Sequence, residues 1–393
     1  MIRNIPDGWR VEKLGDISKI QAGGTPSRNK PEYWNGDIPW IKISDVKSKF
    51  TTKATEFITE DGLNNSSAKL FEVDTILYTI FATLGEVSIL KFPATTNQAI
   101  SGIVVEQDDV NLHYLYNYLK SIKEKVISQG RGVAQNNINL GMLKNIDIPI
   151  PPLPQQEKIV KVLDISSALI EKQKELIEKY DLFLKSKFIE MFGDPISNPM
   201  GWNVEKLGDL TQVKTGKTPS RKKLEYWNDG TVNWAKTTEV NQGILTEVEE
   251  HISDLAVKEC NMIMFPKNTI LIAMYGQGKT RGKVVLLGVP TTINQAFGAI
   301  LKSDKFATLY LLKLLDYMYE NIRDLGRGGN QENLNLDIVR GINIILPPIE
   351  LQNKFASIVE KTEQIKEQET KKLEHLQTLH VSLMDKAFKG EIS

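Results

Sequence analysis

The chain is 393 residues long, 41% hydrophobic and 25% charged, the composition of a globular protein of two or three domains and not of a disordered or fibrous chain. Lys+Arg and Asp+Glu each number 49, so bulk charge neither points to a nucleic-acid partner nor excludes one, since binding needs only a local patch. The single cysteine, Cys260, excludes a disulfide framework and a multi-cysteine zinc site. No run is apolar enough for a membrane span and the first residues lack the core of a signal peptide, so a cytoplasmic location and no membrane contact are expected.

The first element opens at Gly8-Trp9-Arg10-Val11-Glu12-Lys13-Leu14-Gly15-Asp16-Ile17, and the same element returns as Gly201-Trp202-Asn203-Val204-Glu205-Lys206-Leu207-Gly208-Asp209-Leu210, identical at eight of ten positions. The next eighteen residues, Ser18–Asn35 and Thr211–Asn228, match at ten. Asn97-Gln98-Ala99 returns as Asn294-Gln295-Ala296, Gly130-Arg131-Gly132 as Gly326-Arg327-Gly328, and Pro151-Pro152 as Pro347-Pro348. A period this long is that of a duplicated domain and not of a solenoid. Within each copy, short β-rich runs such as Asp74–Tyr78 and Asn268–Ile272 mix with a helical stretch, Leu112–Ser128 and Ala307–Asp324, without a βαβα alternation; the expected class is α+β.

Each copy then closes on a strand stopped by prolines and a long helix, Gln155–Phe192 and Leu351–Phe388, 38 residues each. The apolar stripe is Ile159, Leu163, Ile170, Ile177 and Leu184 in the first, and Phe355, Ile358, Ile365, Leu376, Leu379 and Leu383 in the second. Narrow stripes flanked by Lys and Glu fit a coiled-coil seam, and equal length and matched position favour pairing of the two helices with each other. The division expected is a domain over 1–153, a helix over 154–195, a second domain over 196–349 and a second helix over 350–393. The repeat also places the chain ends together, beside the start of the first helix.

This organisation resembles the specificity subunit of a type I restriction–modification system across essentially the whole chain. Four features carry the resemblance, each present twice and in order: the Gly-Trp opening, Gly23-Gly24-Thr25-Pro26-Ser27 with Gly216-Lys217-Thr218-Pro219-Ser220, the helix openings Pro151–Glu157 and Pro347–Gln352, and the closings Lys187–Asp194 and Lys386–Glu391. The second helix opening departs in having Glu350-Leu351 where the first has Pro154-Gln155. The resemblance implies two target-recognition domains related by a pseudo-two-fold axis, each reading half of a bipartite, asymmetric double-stranded DNA site. It also implies that the two helices form an antiparallel spacer on which methyltransferase and then restriction–translocase subunits assemble.

No catalytic apparatus is legible, and no cofactor or metal is expected on this chain. The Pro-Pro pairs are followed by Leu153 and Ile349 and not by the aromatic of an amino-methyltransferase loop, and His113, His251, His375 and His380 are scattered. Ala273–Thr280 resembles a nucleotide-binding P-loop, but the strand-like Val284–Leu287 follows where a helix would be needed to bind phosphate, so a hairpin is expected. The competing readings are a P-loop NTPase, which lacks its helix, and a coiled-coil scaffold, which has no use for two globular heads.

The candidate DNA contacts combine basic, amide and hydroxyl side chains: Thr25, Ser27, Arg28 and Lys30 in the first copy; Thr218, Ser220, Arg221, Lys222 and Lys223 in the second. Lys279 and Arg281 are expected on the hairpin, and Arg131, Gln135, Arg327 and Gln331 in glycine-rich loops. Residues identical in both copies cannot tell two half-sites apart; they should serve folding or phosphate anchoring, and base readout should come from positions where the copies differ.

Overall fold

The computed structural model describes residues 6–130, 137–276, 279–327 and 333–392. The chain divides into two compact units, Met1–Lys174 with Lys371–Ser393, and Glu175–Thr370. Both are α+β and repeat one topology. In the first, a five-stranded sheet runs in the order Ser18–Ala22, Ile100–Val105, Ile76–Thr79, Val87–Leu90, Phe50–Thr51, antiparallel except at the last junction. In the second the order is Val213–Thr215, Phe297–Ile300, Ile270–Ala273, Val284–Leu287, Ile244–Leu245, again with only the last junction parallel. A three-stranded sheet lies beside each, centred on Trp34–Ile41 and on Val232–Ala235, and the Gly-Trp motif leads into a two-stranded ribbon, Arg10–Lys13 with Asp147–Ile150 and Asn203–Lys206 with Asn343–Leu346.

The central strands are apolar on both faces because each side is covered. Ile76 and Ile89 pack under the helix Leu112–Ser121, while Leu77 and Leu90 face a separate cluster with Ile41 and Phe71. This is the pattern of a fully buried strand, which reads as a continuous apolar run.

The long helices span Leu153–Phe192 and Ile349–Phe388, 40 residues each. The sequence-based boundaries fall at the helix starts, but the compact units cut through the helices, so each helix contributes its two ends to two different cores. In the first unit, Ile159 and Leu163 are buried against Ala387, Leu383 and Met384, and Ser166 Oγ meets His380 Nδ1 at 2.7 Å. In the second, Leu184, Phe188 and Phe192 are buried with Phe355 and Val359, and Lys366 reaches Asp181 at 2.5 Å. Numbers rise on one helix as they fall on the other, so the pairing within each unit is antiparallel.

Ile170 is buried, Ile177, Ile358 and Leu376 are half-buried, but Ile365 and Leu379 are exposed. Those two do not belong to the seam. In the second unit the inward line on this helix is Phe355, Val359 and Thr362, and in the first it is Leu373, Leu376 and His380, each with one step of four and one of three, so apolarity alone misses the register where polar Thr362 and His380 face inward.

A buried glutamine fixes each helix start. Gln156 Oε1 accepts from Asn111 N at 2.7 Å, and its Nε2 donates to Asp109 O and Pro151 O, both at 2.8 Å. Gln352 repeats this, accepting from Ala307 N at 3.0 Å and donating to Pro347 O at 2.8 Å. The two openings are therefore built alike despite Glu350-Leu351.

The helix ends are also alike. Gly193 and Gly390 both take φ +78°, the left-handed conformation that glycine adopts without strain past a helix C-terminus. A Cβ on Gly193 would lie 2.8 Å from Pro199, just ahead in the chain; a Cβ on Gly390 would lie 2.2 Å from Pro6, at the opposite chain end. Gln155 Nε2 donates to Ile392 O at 3.4 Å, and Trp9 Nε1 donates to Gln155 Oε1 at 3.2 Å. Pro6 and Ile392, the outermost described residues, thus lie beside the start of the first long helix, in line with the repeat.

Candidate nucleic-acid interface

The Gly-x-Thr-Pro-Ser loop of each copy is held from below by two tryptophans. Trp34 Nε1 donates to Ser27 O at 3.1 Å and Trp40 Nε1 to Gly24 O at 3.0 Å; Trp227 Nε1 donates to Ser220 O at 3.1 Å and Trp234 Nε1 to Lys217 O at 3.0 Å. The indoles meet edge to face, with centroids 5.0 Å apart in the first unit and 5.1 Å in the second. The first glycine is required by close approach, because a Cβ at Gly23 or Gly216 would collide with the Thr96 hydroxyl or the Ile293 carbonyl.

An arginine closes this clamp. Arg28 Cζ lies 3.5 Å from the centre of the Trp34 ring, and Arg221 Cζ 3.6 Å from that of Trp227. Glu56 accepts from Arg28 and from Lys42, both at 2.6 Å; Glu250 pairs with Arg221 at 2.5 Å and with Lys236 at 2.8 Å. Hydrogen bonds from Lys42 and then Arg28 hold the Glu56 carboxyl below its ordinary range, and Arg221 and then Lys236 do the same for Glu250. Both arginines remain partly exposed but have intramolecular work: a cation–π stack and an ion pair that fix the loop.

Backbone hydrogen bonds gather the other candidate stretches around this loop. In the first unit, Gly24 N donates to Thr96 O at 2.9 Å, Ile80 N to Ala99 O at 2.8 Å, and Ile138 N to Ile80 O at 3.1 Å. In the second, Lys217 N donates to Ile293 O at 2.9 Å, Met274 N to Ala296 O at 2.8 Å, and Leu334 N to Met274 O at 3.0 Å. The Thr-Pro-Ser loop, the Asn-Gln-Ala turn, the hairpin and the chain leaving the glycine-rich loop therefore converge in each unit, the same way twice.

Thr25 Oγ1 bonds Gln98 Oε1 and Thr218 Oγ1 bonds Gln295 Oε1. Both glutamines are exposed. They join the candidate residues of this loop cluster; exposure cannot be read from identity, but an amide shared by both copies next to a shared Asn is the signal available in the sequence.

The remaining candidates separate by setting. Ser27, Ser220 and Lys222 are exposed. Lys30 donates to Tyr33 Oη at 2.8 Å, and Lys223 pairs with Glu259 at 2.5 Å, which, with Tyr226, raises the lysine's pKa. Lys279 is exposed, but Arg281, expected on the hairpin surface beside it, is only 6% exposed. Arg327 ends a short helix at Leu325–Arg327, while Arg131, Gln135 and Gln331 lie outside the described residues. The P-loop-like stretch links Ile270–Ala273 to Val284–Leu287 in an antiparallel hairpin with no helix after it. Among the described residues no three His, Cys, Asp or Glu side chains are grouped to hold a metal ion, and no helix is long and apolar enough to cross a membrane.

Comparison with known proteins identifies the family. The family described as type I restriction modification DNA specificity domain matches twice, at residues 6–179 and 199–377. The chain is 29% identical over 415 residues to the type I restriction enzyme MjaIX specificity subunit of Methanocaldococcus jannaschii, covering all of this chain and 95% of that one. It is 29% identical over 193 residues to the EcoR124I/EcoR124II specificity subunit of Escherichia coli, covering 47% of each. Among solved structures, the S subunit of a type I system from M. genitalium superposes with a TM-score of 0.55 at 17% identity, covering 98% of this chain and 96% of that one. A chain from a type I R-M system studied for its assembly superposes with a TM-score of 0.63, also at 17% identity and over 99% of both chains. At that identity the superpositions speak for the fold alone.

Proposed function

The chain belongs to the type I restriction modification DNA specificity family, and from that premise we propose that its two units each read one half of a bipartite, asymmetric double-stranded DNA site. As a specificity subunit it is not itself an enzyme; methylation and cleavage reside in partner subunits. The observation that carries the reading is the duplicated loop platform: one clamp built twice from the same residues, carrying hairpins that differ. Common anchoring with divergent readout is what two unlike half-sites require, because phosphate contacts position and base contacts specify.

The helices would serve as the docking surface for methyltransferase subunits, with restriction–translocase subunits joining that core. Ile165, Leu169, Leu379 and Val381 in the first unit, and Leu182 and Phe183 in the second, leave apolar surface exposed on them, as protein–protein contact sites do. The subunit would work in the cytoplasm and bind no cofactor of its own.

The test is the methylome of cells with and without the gene. Deletion should abolish methylation at one two-part motif with an unspecified spacer. Retention of all methylation, or loss at a single undivided motif, would overturn the reading.

A further inference from the structure

The two hairpins differ at one buried position. In the first unit Gly85 N donates to Thr79 O at 2.9 Å, and in the second Gly282 N donates to the equivalent Ala273 O at 2.8 Å. The residue just before that glycine is Leu84 in one and Arg281 in the other. Leu84 is 8% exposed and packs in the apolar core with Tyr78 and Val126. Arg281 is 6% exposed, its Nε is sealed from solvent without a hydrogen-bond partner, and among the described residues no carboxylate pairs with it. The hairpin base rests on the helix Tyr319–Asp324: Tyr319 Oη donates to Lys279 O at 2.7 Å, and a Cβ on Gly282 would lie 3.6 Å from both Tyr319 and Arg323.

Folding does not ask for a cation here, because the first unit closes the same turn with leucine. The Arg281 Nε is buried with neither an acceptor nor a counter-charge beside it among the described residues, which is destabilising. No described residue supplies the counter-charge, and a DNA phosphate is an anion that can. The hairpin begins at Met274, hydrogen-bonded to Ala296 beside the Thr218–Gln295 pair, so Arg281 sits within the loop cluster of the second unit.

We infer that Arg281 is a DNA phosphate contact belonging to the second recognition unit alone, with no counterpart in the first. The inference rests on the DNA-reading function proposed above. A phosphate supplies the full negative charge the guanidinium lacks and matches its planar fork. It makes the second unit the more salt-sensitive of the two, and it makes the free protein less stable than its own repeat shows it could be.

The experiment uses the full chain with its methyltransferase subunits and a mixed-sequence DNA duplex, with Arg281→Leu, Arg281→Met and Arg281→Lys. The leucine and methionine variants should melt at or above the parent temperature, bind duplex more weakly, and lower the slope of log affinity against log salt by about 0.9, one phosphate contact. The lysine variant should keep the parent slope, and the methylated sequence should stay the same in all. If the parent complex does not bind duplex DNA, the DNA-reading function fails. If the parent binds but leucine and methionine leave the slope unchanged, or both destabilise the free chain, this inference alone fails and Arg281 is structural. A changed methylation motif would assign Arg281 to a base edge and overturn the phosphate contact.

Discussion

The clamp and the hairpin make opposite use of the duplication. Around the Thr-Pro-Ser loop the two units agree atom for atom in kind: two indole donors, one stacked arginine, one carboxylate shared with a lysine. At the hairpin they part: Leu84 against Arg281, and Glu86 bound to Lys123 at 2.7 Å against Lys283 bound to Asn241 at 2.6 Å. The constant part holds the loops in place, and the variable part is free to change because its neighbours already define the turn. Identity between copies therefore marks support, and the difference lies at the turn which that support holds.

The strongest way to break that comparison is to remove the support. Trp40→Ala and Trp234→Ala each delete a buried indole and its anchor, and should cost about 3–5 kcal/mol, by about the same amount in the two units. Chemical denaturation read on each variant checks this; a loss well below that range in either unit would mean its clamp is dispensable.

Next come the glutamines at the helix starts. Gln156→Leu removes the partners of the Asn111 N–H and of the Asp109 and Pro151 carbonyls, and should cost about 1–3 kcal/mol; Gln352→Leu should match it. Unequal losses would show that the two helix openings, though alike in geometry, bear different loads.

The basic residues sharpen the comparison further. Arg28→Ala and Arg221→Ala break partly exposed stacks and ion pairs, worth no more than about 1 kcal/mol each. Lys222→Ala, at an exposed position with no ion pair among the described residues, should leave stability unchanged and lower the salt slope of DNA binding by about 0.9. A lowered slope for the clamp arginines as well would show that they serve phosphate in addition to the loop.

The smallest effect is a difference in pH response. Burial pushes the pKa of His113 and His380 down, both in the first unit; the repeat places Leu309 and Leu184 at those positions in the second. As pH falls through about 6.5 toward the lower folded values, the unfolded chain takes up protons that the folded unit refuses, so the first unit loses stability. Melting followed from pH 7.5 down should show this loss, and His113→Leu with His380→Leu should remove it. The carboxyls Glu56 and Glu250, held low, act in both units: their stabilisation is present above the ordinary carboxylate range and is lost at acid pH as each falls through its lowered value. An unchanged first-unit profile in the double histidine variant would dissociate the asymmetry from these side chains.

Much of this protein is legible without coordinates. The duplicated motifs, the proline-stopped strands and the two equal helices determine the repeat, the α+β class, the helix pairing and the closeness of Pro6 to Gly390, because these follow from local propensity and from one pattern occurring twice. What only the tertiary structure decided is the state of individual polar groups. The sequence leaves Arg28 and Arg221 open between folding and phosphate anchoring, and only the fold brings Glu56 and Glu250, far along the chain, onto them. Arg281 reads as a hairpin-surface cation until the helix at Tyr319 covers the turn. The seam register read from apolarity slips at Leu379 because His380 faces inward to meet Ser166. In each case a short-range code proposes a side chain, and a partner distant in sequence decides whether its charge or hydrogen bond is spent inside the protein or left for DNA.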